Sequence, residues 1–112
     1  MEIAYLGEKI FREEIASSQV IWVIRGKYKN IYAIETDGGY SLPVWSSRER
    51  VEVFFKNAFL SDQHYGPEAV PLEVFTNSWL SDKMMAICLL QINPEGKTSR
   101  VLVMTPEEFP SG

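Results

Sequence analysis

LPVWSSRERVEVFF, residues Leu42–Phe55, runs from strand-forming residues through two serines into an amphipathic helix. Ser46 stands three residues before Glu49, the spacing at which a serine hydroxyl and a glutamate carboxylate satisfy each other's free amides at a helix start. From there Val51, Phe54, Phe55, Ala58 and Phe59 recur at i, i+3, i+4, i+7 and i+8 and make one apolar face. Arg48, Glu52 and Lys56 line another face at four-residue intervals, where they can pair. The spacing therefore predicts a strand, a capped joint and a helix ending near Leu60.

Upstream, Glu8 to Ser18 carries Phe11 and Ile15 four apart, with Glu8–Arg12 and Lys9–Glu13 as opposite-charge pairs at the same spacing, which predicts a helix. At Gln19 the pattern changes to VIWVIR, dominated by β-branched and aromatic residues, and a strand begins. GKYKN leads to IYAIET and DGG leads to YSLPVW, so two turns join three strands in an antiparallel meander. Pro43 lacks an amide hydrogen, which puts the third strand at a sheet edge or bends it there.

Downstream, SDQHYGPEAV is punctuated by Gly66 and Pro67 and reads as a loop, with Pro71 opening a short helix, PLEVFTNSWL, whose Leu72, Phe75 and Trp79 face inward. MMAICLLQI is an apolar run whose length, and whose bounding by Asp82-Lys83 and Asn93-Pro94, suit a central strand. NPEGK is a loop and TSRVLVM, with Arg100 between apolar neighbours, returns as the hairpin partner. TPEEF offers Thr105 as cap, Pro106 as first position and Glu108 as reciprocal partner of a short helical turn. The predicted order is αβββααββ with that turn at the end. It describes a single α+β domain over residues 1–112, a mostly antiparallel sheet with helices packed on one face.

Composition agrees with one folded domain. The chain has 112 residues, 46% of them hydrophobic, with six Phe, five Tyr and three Trp, enough large side chains to offset the entropy of ordering. The longest apolar runs, Val20 to Ile24 and Met84 to Leu90, fall far short of the roughly 20 residues a membrane-spanning helix needs. The N-terminus becomes charged within a few residues and lacks the pattern of a secretory signal, and the one cysteine, Cys88, excludes an internal disulfide; the expected compartment is the cytoplasm. Net charge is −4 with no cluster of Lys and Arg, which disfavours nucleic acid as a partner.

Chemistry-bearing residues are few. Gly96-Lys97-Thr98 looks like the tail of a phosphate-binding loop, but residue 91 is Gln where the motif needs Gly, and the segment lies between two strands. His64 is the one histidine and sits in a polar loop, so neither a structural zinc site nor a triad is assembled around it. Cys88, flanked by Ile87, Leu89 and Leu90, is expected to pack as a small apolar residue. Ser46 and Ser47 lack the glycine-flanked elbow that exposes a nucleophile. No catalytic residue, metal or cofactor is assigned.

VIWVIR, LPVWSSRERVEVF and PLEVFTNSWLSDKMMAICLLQINPEG, closing with TPEEF, resemble blocks of the domain of unknown function (DUF) 2750 family, small and mostly bacterial single-domain proteins. The resemblance runs roughly from Phe11 to Phe109. The LPVWSSRERVEVF block is also similar, over a few tens of residues, to the N-terminal domain of the enhanced serine sensitivity protein family. Both resemblances imply an α+β domain with no assigned reaction, substrate or cofactor, so no functional residue carries over. The family tends to continue its last helix, whereas here Phe109 is followed at once by Pro110-Ser111-Gly112.

Two functions are expected from this reading. The first is a non-enzymatic interaction domain that recognises another protein through aromatic and acidic surface, with an immunity or antitoxin-like role as a variant because a small acidic domain suits a basic toxin. The second is a small-molecule or anion site at the start of the Ser46 helix, where free amides and a partial positive charge would be joined by Trp45, Ser46, Ser47, Arg48 and Arg25, with Arg50 nearby. An open sheet edge or exposed aromatics would also permit a homodimer.

Overall fold

Strand β1 (Val20–Gly26) organises the molecule, because its alternating side chains feed two separate cores. The computed structural model describes residues 2–28, 30–58, 64–96 and 101–109. Within them run α1 (Glu2–Ser18), β1, β2 (Ile34–Thr36), β3 (Gly39–Val44), α2 (Arg48–Ala58), β4 (Tyr65–Pro71), α3 (Leu72–Val74), β5 (Ile87–Ile92) and β6 (Leu102–Met104). A π-helical turn at Phe75–Trp79 extends α3, and a 3₁₀ turn at Pro106–Glu108 follows β6. The predicted helix end near Leu60, Lys97 and Thr98, Arg100 and the Pro110-Ser111-Gly112 tail lie outside the described residues.

The α+β class is as the sequence reads, and most strand pairs are antiparallel. β1 pairs with β4 in one ribbon; β2, β3, β5 and β6 form a second sheet in that order, with only β3 and β5 parallel among the described strands. The central position of β5 and its hairpin with β6 match the reading of MMAICLLQI and TSRVLVM. Thr105 and Glu108 close the expected capping box, the Thr105 amide donating to Glu108 Oε1 at 2.9 Å and the Glu108 amide to Thr105 Oγ1 at 3.3 Å. On α1 the two predicted pairs form, Arg12 to Glu8 at 2.8 Å and Lys9 to Glu13 at 2.7 Å, while Phe11 and Ile15 are buried.

Several details depart from the sequence reading. The loop SDQHYGPEAV contains strand β4, so the observed order is αβββαβαββ before the final turn. Gly66 and Pro67 hide it, yet among the described residues β4 is paired on one side only and Pro67 stands opposite Ile24, an edge position where a missing amide hydrogen is tolerated. The three-strand meander is not formed. After a tight return in which Gly26 donates to Asn30 and Tyr32 to Ile24, the chain leaves β1, and only β2 and β3 make a hairpin.

Pro43 is not at an edge of the sheet but between two successive partners. The amides of Tyr40 and of every second residue after it point toward β5, as Tyr40 donating to Ala86 shows. The Pro43 nitrogen therefore points the other way, where β2 has already ended opposite Ser41. Two residues later that same side meets β1, through paired bonds of 2.8 and 2.9 Å between the Trp22 and Trp45 backbones. The missing donor falls in the gap where β3 changes neighbour.

The helices do not share one face. Phe11 and Ile15 of α1 pack with Ile21, Val23, Leu42, Val44, Leu90 and Ile92 in the larger core. Val51 and Phe54 of α2 pack with Ile24 and Trp45 in the smaller one, against which Trp22 also lies. Because Ile21 and Val23 alternate with Trp22 and Ile24, α1 and α2 cover opposite faces of β1. Cys88, expected in the core, is half-buried with Thr36 Oγ1 3.5 Å away: the β3–β5 register shifts here, Tyr40 standing opposite Ile87 and Ser41 opposite Leu89, so Cys88 falls out of the alternation that sends Leu90 and Ile92 into the larger core.

Candidate functional site

The joint between β3 and α2 holds a cluster of polar side chains that three separate elements bring together. α2 begins at Arg48, one residue later than an Ser46 cap requires, and Ser47 supplies the cap: its Oγ accepts from the Arg50 amide at 3.3 Å. The residue three beyond this cap is Arg50, so Glu49 cannot close a capping box. Ser46 is thereby released for another role. It is buried, and its hydroxyl donates to the carboxylate of Glu14 on α1.

Asn93, just past β5, holds Ser46 from the other side. Its Oδ1 accepts from the Ser46 amide at 2.9 Å and its Nδ2 donates to Ser46 Oγ at 3.0 Å. The Asn93 backbone sits at φ 51°, a left-handed conformation that asparagine tolerates better than most residues. Arg50 completes the cluster by donating through Nε and a terminal nitrogen to the two oxygens of Glu14, at 2.9 and 2.8 Å. This fork-to-fork geometry is the stronger kind of charge-assisted contact. Glu14 was legible in principle, because it lies three residues after Phe11 and so shares the buried side of α1.

Electrostatics follow from the geometry. The Arg50 hydrogen bonds hold the Glu14 carboxyl below its ordinary range, against partial burial that raises it and with help from Ser46. Arg50 is raised in turn by Glu14. A carboxylate held anionic in this way is a poor base, and Ser46 has almost no surface for a substrate to reach. The cluster thus acts as a clamp joining α1, α2 and the end of β5.

A carboxyl whose pKa is depressed in the folded state contributes stability above its unfolded pKa, and that contribution is lost as pH falls through the folded pKa. For Glu14 the loss begins near the ordinary carboxylate range of about 4. Both side chains remain about a third exposed, so the pair is screened. Glu14→Gln is expected to lower stability at neutral pH by about 1 kcal/mol. In urea titrations between neutral pH and about 3, the variant should lose less stability on acidification than the parent; an unchanged acid dependence would exclude the clamp as a source of it.

Of the residues expected in an anion site, Trp45, Ser46, Ser47 and Arg48 adjoin one another at this joint. Trp45 is fully buried, with its Nε1 donating to the Pro94 carbonyl at 2.9 Å and its ring 5.1 Å from that of Phe54. Arg48 pairs along α2 with Glu52 at 3.3 Å. Arg25 is engaged elsewhere, on the β1–β4 ribbon, where a terminal nitrogen donates to Glu68 Oε2 at 2.7 Å. That contact raises Arg25 and lowers Glu68. His64 is exposed beside a recess lined by Lys27, Tyr28 and Tyr65. Among the described residues no three of His, Cys, Asp or Glu are placed to hold a metal, and no helix is long and apolar enough to cross a membrane.

A different feature presents apolar surface to solvent. Ile31, Ala33, Tyr40, Leu42, Met84, Met85 and Ile87 line a recess of about 280 Å³ that opens beside β2. Its floor is the larger core, since Leu42 belongs to that core and Ile31, Ala33 and Ile87 pack against it. Its rim is unusually open: Met84 is 91% exposed and Tyr40 41% exposed. Asp82 fixes the methionine turn, its Oδ1 accepting from the Met84 amide at 2.9 Å. The sequence reading missed this place because it assigned the methionines to a buried strand, whereas β5 starts only at Ile87.

Residues 9–111 match the family described as protein of unknown function (DUF2750), and the chain belongs to that family. No curated protein matches the chain.

Proposed function

We propose that this member of a family without an assigned reaction is a non-enzymatic, cytosolic bacterial domain that binds another protein, and that the recess beside β2 is its contact surface. One observation carries the reading: a solvent-exposed methionine and a tyrosine rim an apolar recess continuous with the core. Exposed apolar patches of this kind mark interaction sites on soluble domains, Met and Tyr are enriched at interfaces, and methionine adapts its shape to a partner. The polar cluster at the α2 joint, by contrast, is occupied by its own members. An immunity or antitoxin-like role falls within this reading, given the chain's net charge of −4.

Co-purification with tagged protein tests it. A partner recovered in stoichiometric amount by the parent and lost with Met84→Asp supports the reading; a parent that retains no partner opposes it. Met84 is almost fully exposed, so the substitution is expected to change stability by no more than about 0.5 kcal/mol.

The alternative is an anion held by Trp45, Ser46, Ser47 and Arg48 at the start of α2, joined by Arg25. It draws support from the amides of the first helical turn, which have no intrahelical partner. Arg48 and Arg50 already pair with Glu52 and Glu14, however, and Arg25 is held by Glu68 on the β1–β4 ribbon. Inorganic phosphate is expected to raise the melting temperature equally in the parent and in Arg48→Ala, through exclusion from the surface alone. A larger rise in the parent would favour the anion site.

A further inference from the structure

We infer that the open edge of β2 receives an extended, basic segment of the partner as an added strand, with an apolar side chain of that segment seated in the adjoining recess. The inference rests on the interaction reading above and names the chemistry of the occupant. Among the described residues β2 is the last strand of its sheet, and all three of its residues are exposed. Residues opposite each other in an antiparallel pair exchange two hydrogen bonds or none. Tyr40, opposite Glu35, sends its amide hydrogen away to Ala86 on the far side. Glu35 is therefore in a pair that exchanges none, and its own amide and carbonyl face the open edge.

The side chain of Glu35 shares a face with Tyr40, its cross-strand neighbour and a wall of the recess. Ala33, two residues before Glu35, also lines the recess and is small enough for a neighbouring side chain to cross. A strand laid along this edge would put one residue opposite Glu35 and another, two positions away on the same face, beside Ala33. The first position calls for Lys or Arg, because Glu35 has no ion-pair partner among the described residues and Asp37 follows in the adjoining turn. Asp82 adds a third carboxylate near Met84, offset in part by Lys83. The second position calls for an apolar side chain.

Charge also selects against a second copy of this chain. Antiparallel self-pairing centred on Glu35 would set two glutamates directly opposite, which is destabilising. A three-residue edge bearing a central acid is the kind of edge that resists self-association while still accepting a complementary strand.

Capped synthetic heptapeptides test this, with the pattern Thr-Φ-Thr-Lys-Thr-Φ-Thr, where Φ is Val, Leu, Phe or Trp, alongside counterparts carrying Glu in place of Lys. Fluorescence anisotropy should show that the parent binds at least one Lys peptide and binds its Glu counterpart at least about tenfold more weakly. Glu35→Pro removes the outward amide hydrogen without removing a β2–β3 bond, and Ile34 before it is already in the extended conformation that proline demands. That variant should keep its melting temperature and lose about tenfold or more in peptide affinity, and Glu35→Lys should reverse the peptide preference. Failure of every Lys peptide to bind, or binding indifferent to Glu35→Pro, overturns strand addition. If a Met84-dependent partner is still co-purified in that case, the interaction reading survives without it. A concentration-dependent dimer in sedimentation, abolished by Glu35→Pro, would assign the edge to a second copy and overturn the inference.

Discussion

Trp45→Ala is expected to lower the unfolding free energy by about 3–5 kcal/mol, the range for deleting a large aromatic from a core. Set against the roughly 5–15 kcal/mol that stabilises a typical domain, this is a large fraction of the whole. Among the described residues the smaller core has only Ile24, Trp45, Val51 and Phe54 as buried members, so few of them can collapse into the space left behind. Two further losses add to the cavity: the tilted contact with Phe54, and the Nε1 bond that satisfies the Pro94 carbonyl. The backbone pairing with Trp22 survives in the variant, because alanine keeps the same amide and carbonyl. Trp45→Phe should keep much of the packing and cost about 1–3 kcal/mol, separating loss of the indole donor from loss of volume. Urea denaturation measures both. A change below about 1 kcal/mol for the alanine variant would mean that the α2 side of β1 unfolds apart from the rest.

That dependence on one side chain explains why the fold was only partly legible. Periodicity is a local property, and the positions it marked most clearly are buried: Phe11 and Ile15, Val51 and Phe54, and Leu90 and Ile92 at the end of the apolar run, whereas Met84 at its start is exposed and Cys88 only half-buried. Pairing is not local. The sequence cannot say that Trp22 meets Trp45 or that β1 takes β4 as its partner, because those contacts are fixed by how two cores divide the side chains of β1. Proline misled for a related reason. Pro43 and Pro67 each lack a donor, but the cost depends on what lies on that side, and in both cases no strand partner is there to be lost.

The joint at Ser46 and Ser47 was located correctly, and its bonding was not. A one-residue difference in where α2 starts moves the cap from Ser46 to Ser47 and hands Ser46 to Glu14. Glu14 from α1 and Asn93 from the end of β5 reach Ser46 and Arg50 from elements remote in sequence, a meeting that no spacing rule could reveal. The recess beside β2 has no motif at all. It exists because β5 starts after Met84 and Met85 instead of at them, and because β2 is too short to cover what the sheet leaves open.

Gly39→Ala probes that same corner and is expected to cost about 2–4 kcal/mol, combining backbone strain with a lost hydrogen bond. Gly39 has φ 136°, where a side chain is strained whatever space surrounds it. Space is also lacking: an added Cβ would lie 2.3 Å from the carbonyl oxygen of Ala86. That oxygen accepts from the Tyr40 amide at 2.7 Å, the bond with which β3 begins to follow the β5 segment. Since the obstacle is backbone, it cannot swing aside; either β3 parts from Ala86 or the methionine turn before Ala86 shifts. Gly38→Ala is the matched control, with nothing within 4 Å of its added carbon, and should stay within about 0.5 kcal/mol of the parent. If Gly39→Ala were equally silent in urea denaturation, the close approach of β3 to Ala86 would be wrong, and with it the shape of the recess. A costly Gly39→Ala that also weakens peptide binding more than Gly38→Ala, measured well below both melting temperatures, would tie the geometry of this turn to recognition.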